Sequence, residues 1–371
     1  MMNNTSLLRN DERAVLALRE LYHTHGYTPY KMNKFEEYDL YVRNKSFLVS
    51  DHVITFTDTN GKLMAMKPDV TLSIIKNGKD GDALQKVYYH ENVYRVSGRT
   101  GDFREIMQAG LECIGDVDGF AVFEVLTLAA KSLLKISPDC VLDISHLGIL
   151  TAVLDTLSVT GATREQLIRC IGEKNTHELG AICLGAGVAP ERTALLQTLV
   201  SSYGKPSTVL PALEGLLAGT VDAALLREFS ALIHALERTE CGDIVRIDFS
   251  VVSDMGYYNG IVFKGFVSGV PSDILSGGQY DGLMRKMGRS AGAIGFAVYL
   301  DRLERLSEQE RSYDVDVALL YGEDADPAAL YRAAGNLIAQ GKTVTVLREL
   351  PEKLRYHTLM KFDEKEGRLC E

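Results

Sequence analysis

Tyr94-Arg95, followed by Phe103-Arg104-Glu105-Ile106-Met107-Gln108-Ala109-Gly110-Leu111-Glu112, reads as strand, basic loop and strand. Gln108, Gly110 and Glu112 recur at period two, so an amide and a carboxylate share one face of the second strand. Arg95 falls on the strand that pairs with it, a position suited to clamping an anion through charge-assisted hydrogen bonds. Taken alone, the segment is equally a solvated sheet face. Its weight comes from what surrounds it.

Upstream, residues 10–25 place Val15, Leu18, Leu21 and Tyr22 at helical spacing between an Asn10 cap and Gly26. Residues 27–41 read as extended. Strand patterns at 53–56 and 63–66 flank Asn60-Gly61, a hairpin signal because that turn needs positive φ. Residues 86–94 and 106–114 are the paired strands, and 119–135 form an apolar helix. At Thr163-Arg164-Glu165-Gln166 the spacing is that of a capping box, and Leu/Ala-rich helical sequence continues to about Glu240. This predicts a helical insertion, 163–240, between two halves of one sheet. Strand signals return at 244–252, 257–266 and 293–298. After a charged linker at 307–311, residues 315–321, 328–339 and 343–347 predict a small β-α-β unit. The fold class is α+β: a core over 1–306 carrying the insertion, and a second unit over 312–371.

The chain has 371 residues, 46% of them hydrophobic and 24% charged, which suits a globular protein with a large core and more than one domain. Met1-Met2-Asn3-Asn4-Thr5 lacks a basic n-region, and no window matches a membrane span, so a cytoplasmic protein without a membrane partner is expected. Cysteines 113, 140, 170, 183, 241 and 370 show no paired spacing, which predicts free thiols rather than a disulfide framework or a zinc knuckle. The net charge of −10 disfavours a nucleic-acid partner, because phosphate neutralisation needs a basic face. Phosphate-loop, Rossmann, metalloprotease and serine-hydrolase motifs are absent, and the eight histidines form no ligand-spaced cluster. No metal or cofactor is expected.

Five elements in order give the Gln108–Glu112 face its context. Pro68-Asp69-Val70-Thr71 precedes it, and Tyr257-Tyr258-Asn259-Gly260, Gly277-Gly278-Gln279-Tyr280-Asp281, then Gly295-Phe296-Ala297 with Asp301-Arg302-Leu303 follow. With Arg95, Gln108 and Glu112 these resemble, over roughly residues 8–306, the catalytic core of class II histidyl-tRNA synthetases. The resemblance implies an antiparallel sheet flanked by helices. It also implies a histidine site in which Asp69 and Glu112 take the ammonium, Thr71 and Gln108 lie nearby, and Tyr257, Tyr258 and Tyr280 face the imidazole. Arg95, Arg104 and Arg302 stand where anion or phosphate contacts are expected. For one of Tyr257 and Tyr258 simple core packing is the competing reading, because strand neighbours face opposite ways.

The departures bear on activity. Ser253, in Ser253-Asp254-Met255-Gly256, stands where the family has a signature arginine, and a hydroxyl does not replace a fixed cation beside a reacting carboxylate. Tyr299 replaces a motif 3 glycine and would fill the adenine site. Asp102 follows Gly101 where the family shows arginine, and Asn33 replaces a motif 1 proline although Glu36 is kept. Residues 312–371 resemble only the beginning of the family's anticodon-binding domain, so no tRNA partner is expected. Pro68-Asp69 and Ser253-Asp-Met-Gly-Tyr-Tyr are similar to the synthetase-like regulatory subunits of ATP phosphoribosyltransferase. That resemblance implies a non-catalytic, histidine-binding subunit, at least a homodimer. It would assemble with a short-form catalytic subunit to allow and feedback-regulate the first step of histidine biosynthesis. An amino-acid-binding paralogue serving another enzyme is the first alternative, and an active synthetase the second.

Overall fold

A nine-stranded sheet carries the Gln108 strand near its middle. The computed structural model describes residues 8–42, 53–78, 84–96, 100–252, 255, 257–307, 313–363 and 368–370. The chain divides into two units, Met1–Leu306 and Ser307–Glu371. The first begins with α1 (Asn10–Thr24), β1 (Thr28–Pro29), β2 (Phe35–Glu37), α2 (Tyr38–Val42), β3 (Thr55–Thr57) and β4 (Leu63–Met66). Next come α3 (Thr71–Asn77), β5 (Gln85–Val96), β6 (Phe103–Gly115), α4 (Gly119–Ile136), β7 (Cys140–His146) and α5 (Leu147–Thr156). The helical region follows as α6 (Gly161–Gly172), α7 (Thr176–Gly185), α8 (Pro190–Ser201), the short β8 (Tyr203–Gly204), α9 (Pro206–Leu217) and α10 (Ala223–Glu237). Then β9 (Val245–Asp248), β10 (Ile261–Val267), β11 (Leu275–Gln279), α11 (Asp281–Lys286) and β12 (Gly292–Tyr299) complete the sheet.

The strand order is β1-β5-β6-β12-β11-β10-β7-β9-β8. The central pairs are antiparallel, as the resemblance implied, whereas β1·β5 and β7·β9 are parallel, so the sheet is mixed towards both edges. One face is apolar: Leu111, Cys113, Leu142, Ile144, Phe263 and Phe296 pack against Val15, Leu18 and Tyr22 of α1 and Val125, Leu126 and Ala129 of α4. Tyr22 and Ser132 join the two helices through a buried 3.0 Å hydrogen bond. The opposite face bears the alternate residues, which are small or polar: Gln108, Gly110 and Glu112 on β6, Gly295 and Ala297 on β12, Ser276 and Gly278 on β11, Lys264 on β10. That pleat alternation turns one face into core and the other into a site.

The Asn60-Gly61 hairpin joins β3 to β4, with Gly61 at φ 79° and the Asp58 carboxylate accepting from Asn60 N and Lys62 N, both at 2.8 Å. Four boundaries differ from the sequence reading. Asn10 is the first helical residue rather than the cap; Arg9 holds that place, and its N–H donates to Glu12 Oε2 at 2.8 Å. Tyr38–Val42 is a helical turn, not extended chain. Thr163 lies inside α6, whose cap is Thr160 in extended backbone. The strand at Tyr257 starts only at Ile261, because Asn259 N bonds to Gln279 O and bends the chain before it joins the sheet.

In the second unit β13 (Val315–Leu320), α12 (Pro327–Ala339) and β14 (Val344–Leu347) form the expected β-α-β arrangement, with β13 and β14 parallel. Asp326 caps α12, accepting from Ala328 N at 3.2 Å and Ala329 N at 3.1 Å. Two strands that the sequence did not reveal, β15 (Tyr356–Asp363) and β16 (Arg368–Cys370), extend the sheet to the order β14-β13-β15-β16.

Candidate functional site

On the polar face of the large sheet lies a cavity of about 460 Å³. Its acidic end is built around Glu112, which is only 2% exposed. Thr71 Oγ1 donates to Glu112 Oε1 at 2.7 Å and Tyr280 Oη donates to Glu112 Oε2 at 2.5 Å. The Pro68–Thr71 turn delivers Thr71 because Asp69 Oδ1 accepts from Leu72 N at 2.9 Å and starts α3. Gly295 sits in register opposite Glu112, and a Cβ there would collide with Glu112 Oε2. Gly110 likewise leaves room for the Tyr89 hydroxyl. Burial pushes the Glu112 carboxyl up to about 8; the two hydroxyl donors oppose that shift and the Asp69 charge adds to it. Asp69 is also raised, by burial, against the pull of Leu72 N–H and Arg95. An ammonium arriving between two such acids would recover much of this penalty.

Three tyrosines form the adjoining wall. The rings of Tyr257 and Tyr258 lie 4.6 Å apart and those of Tyr257 and Tyr280 5.8 Å apart. Burial holds the Tyr257 and Tyr280 hydroxyls well above their usual range, so both stay neutral donors. Core packing is the reading that holds for Tyr257, which is buried among Tyr280, Leu283 and Met284, but strand alternation is not its cause: neither residue lies on a strand, and both line the cavity. Their turn is held by Gln279, whose Oε1 accepts from Ile261 N at 2.8 Å, and by Asn259 Nδ2 donating to Asp281 Oδ2 at 3.2 Å. A Cβ at Gly278 would lie 2.8 Å from Tyr258 Cδ1, so glycine there seats that ring. Gln279 and Asp281 therefore support the site, and Tyr280 enters it.

The far end is basic. Lys264 and Arg302 line it, together with Asp273, Ser276 and Tyr299, while Arg95 lines the cavity beside Asp69. Arg95 Nε donates to Pro68 O at 3.0 Å. Arg302 pairs with Asp273 Oδ2 at 3.3 Å, and its guanidinium carbon lies 4.2 Å from the Tyr299 ring centroid. The Tyr299 hydroxyl bonds to Ser276 Oγ at 2.7 Å. The phenol thus occupies the stacking face of Arg302.

Asp69, Thr71, Gln108, Glu112, Tyr257, Tyr258, Tyr280, Arg95 and Arg302 all line this one cavity. Arg104 does not: it is exposed, two pleats beyond Gln108 along β6, which places it about 13 Å further out. Ser253 and Asp254 lie outside the described residues. Tyr89, Lys264, Asp273 and Ser276 were not foreseen; the period-two pattern of β10 and β11 places Lys264 and Ser276 on the Gln108 face only once the register is known.

Among the described residues no three His, Cys, Asp or Glu gather as a metal site, and no helix is long and apolar enough to cross a membrane. Cys113, Cys140, Cys170, Cys183 and Cys241 are buried free thiols. A second cavity, between α4 and α10, has His146 on its wall. That imidazole caps α5, accepting from Gly148 N at 3.1 Å, and burial lowers it to about 4, so it is neutral and structurally committed.

A family model described as histidyl-tRNA synthetase matches residues 6–303. Among relatives, an ATP phosphoribosyltransferase regulatory subunit of Alkaliphilus metalliredigens is 27% identical over 286 residues, covering 76% of this chain and 72% of that one. A protein of the same description from Oceanobacillus iheyensis is 25% identical over 354 residues, with 93% and 87% covered. Among solved structures, an ATP phosphoribosyltransferase regulatory subunit/histidyl-tRNA synthetase from Bacillus halodurans has a TM-score of 0.75 at 23% identity, covering 95% of this chain and 93% of that one. An ATP phosphoribosyl transferase complex from Thermotoga maritima has a chain of TM-score 0.61 at 17% identity, with 77% and 96% covered.

Proposed function

The chain belongs to the histidyl-tRNA synthetase family, and from that premise we propose that it is a non-catalytic regulatory subunit of ATP phosphoribosyltransferase that binds histidine. The observation that carries this reading is the contrast between the two ends of one cavity. The acidic end retains a built ammonium site in Glu112, Thr71, Tyr280 and Asp69. At the other end Tyr299 lies against Arg302, where a nucleotide base would otherwise stack. Ser253 adds a sequence departure in the same direction, since the family's cation is missing there. Relatives that carry the regulatory-subunit description over most of their length support the assignment. The amino acid is held and not activated.

On this reading the ammonium of histidine replaces the proton on Glu112 and sits between that carboxylate and Asp69, with Gln108 alongside. The tyrosine wall takes the imidazole. The core over 1–306, with its helical insertion, dimerises and assembles with a short-form catalytic phosphoribosyltransferase subunit; the unit over 312–371 reads no tRNA. Feedback follows if histidine binds one quaternary state more tightly than another, since a ligand moves an equilibrium only by its differential affinity. Catalysis of phosphoribosyl transfer stays with the partner.

Calorimetric titration of the full chain with histidine, then with ATP, tests this. Saturable binding of histidine with no heat from ATP is the expected result. Binding of both would restore the synthetase reading. A thermal shift produced by a different amino acid and not by histidine would point to the paralogue serving another enzyme.

A further inference from the structure

The cavity holds three cations, and two of them are engaged. Arg302 is paired with Asp273 and stacked on Tyr299. Arg95 donates to Pro68 O and acts electrostatically on Asp69. Lys264 is different: half-buried on β10, it lines the cavity and has no hydrogen bond or ion pair with any other described residue. This is not for lack of a neighbour. Asp143 stands in direct register with it on β7, and Asp143 Oδ1 is buried without a partner. A cross-strand ion pair is available by position and is not formed. Instead Lys264 lines the cavity.

The floor between Lys264 and the acidic end is made of small residues. From Lys264 the register runs through Ser276 and Ala297 to Gly110, and the parallel row from Glu112 runs through Gly295 and Gly278. Three strand spacings across the sheet and two residues along it separate Lys264 from Glu112, about 16 Å between backbones. A glutamate and a lysine reaching towards each other across that distance leave a gap of about 6–8 Å, spanned by an α-amino acid's ammonium and carboxylate with one hydrogen bond at each end. Charge complementarity has the same sense: acids at one end, an uncommitted ammonium at the other.

We infer that Lys264 is the carboxylate-anchoring residue of this site, binding the anionic group of a zwitterionic α-amino acid whose ammonium lies at Glu112. The inference rests on the reading of the cavity as an amino-acid site and adds to it the residue that separates an amino acid from the corresponding amine. Lysine suits the role because its ammonium is a compact point charge on a flexible stem and does not demand the bidentate geometry of a guanidinium.

The test is calorimetry on the full chain with histidine and with histamine, which keeps the ammonium and imidazole and lacks the carboxylate. The proteins are the wild type, Lys264→Met, Lys264→Gln and Lys264→Arg, each checked for folding by its unfolding midpoint. The wild type is expected to prefer histidine. Lys264→Met and Lys264→Gln should weaken histidine binding by about tenfold to a hundredfold, the usual range for a charged hydrogen bond, and leave histamine within about twofold. Lys264→Arg should recover part of the preference. Equal loss for both ligands would show a structural role and overturn the inference. An unchanged preference would place the carboxylate elsewhere, while histidine binding itself would still uphold the reading of the cavity. If the folded wild type binds neither ligand, that reading fails and the inference falls with it.

Discussion

Replacing Glu112 by Gln tests the acidic end without reference to any partner. Glu112 is raised from 4.5 to about 8 because its carboxyl is buried, and its two hydroxyl donors only partly offset that. The folded protein therefore prefers the neutral acid. Its contribution to stability is complete below pH 4.5 and is lost as pH rises through 8, since the unfolded chain is then ionised and the folded one resists ionisation. At 1.36 kcal/mol per unit the whole window is worth about 5 kcal/mol, and the part between pH 5 and pH 8 about 3 kcal/mol. Glutamine keeps the shape and cannot ionise, but it weakens one of the hydroxyl contacts at about 1 kcal/mol. Urea unfolding of both proteins at constant ionic strength should give stabilities within about 1 kcal/mol at pH 5, with Glu112→Gln ahead by about 3 kcal/mol at pH 8. The same variant should bind histidine more weakly. A stability gap that stays constant between pH 5 and pH 8 would refute the reasoning, because Glu112 would then ionise in the folded state at no cost. A companion measurement follows from the same shift: at pH 7 the free site is mostly protonated, so binding an ammonium should release most of one proton. Calorimetry in buffers of different ionisation heat reads that number directly.

Three further outcomes are expected. Gly295→Ala should displace the Glu112 carboxylate, whose Oε2 occupies the space a Cβ needs, and abolish detectable histidine binding at millimolar ligand while the far-ultraviolet spectrum stays native. Tyr299→Ala should uncover the Arg302 stacking face and give weak ATP binding, with Kd in the millimolar range, where the wild type gives none in the same titration. Lys174→Met should cost about 2 kcal/mol in urea unfolding. Its ammonium is the 2.7 Å partner of Asp248, whose charge also acts on the buried Asp143, and the half-exposed lysine places the loss below that of a fully buried ion pair.

Much of the site was legible because it sits on regular strands. Gln108 and Glu112 obey the pleat, so period two was enough to bring them together, whereas Asp69 and Thr71 came only from the Pro68-Asp69-Val70-Thr71 resemblance, and the structure adds the helix start at Leu72 that holds them. Where the backbone leaves the pleat the same rule misleads. Tyr257 and Tyr258 were treated as strand neighbours, yet the bend fixed by Gln279, eighteen or more residues away in sequence, turns both rings to one side. Arg104 obeys the pleat and stands directly opposite Arg95, which lines the cavity, yet Arg104 is exposed and does not line it, since sharing a face does not by itself place a side chain in a site. Lys264 was invisible for the opposite reason: one lysine in a hydrophobic strand names no face until its register with Ser276 and Asp143 is known. The helical region was readable from composition, but its first cap was misplaced, because Thr163-x-x-Gln166 imitates a capping box three residues inside the true one.

The order of strands across the large sheet has a kinetic side. Cavity walls come from Asp69 and Thr71, from Glu112, from Tyr257 and Lys264, and from Gly295 to Tyr299, so the site is assembled from segments far apart in the chain. β6 meets β12 directly, across the whole helical region and β7 to β11. Loop closure over such separations is slow, and local helices and the β5–β6 hairpin form well before it. Until β12 docks, Glu112 has no Gly295 opposite it and Tyr280 no place to donate. Histidine therefore has nothing to recognise in an incomplete chain: it should leave the folding rate unchanged and slow unfolding, protecting only molecules that have already finished.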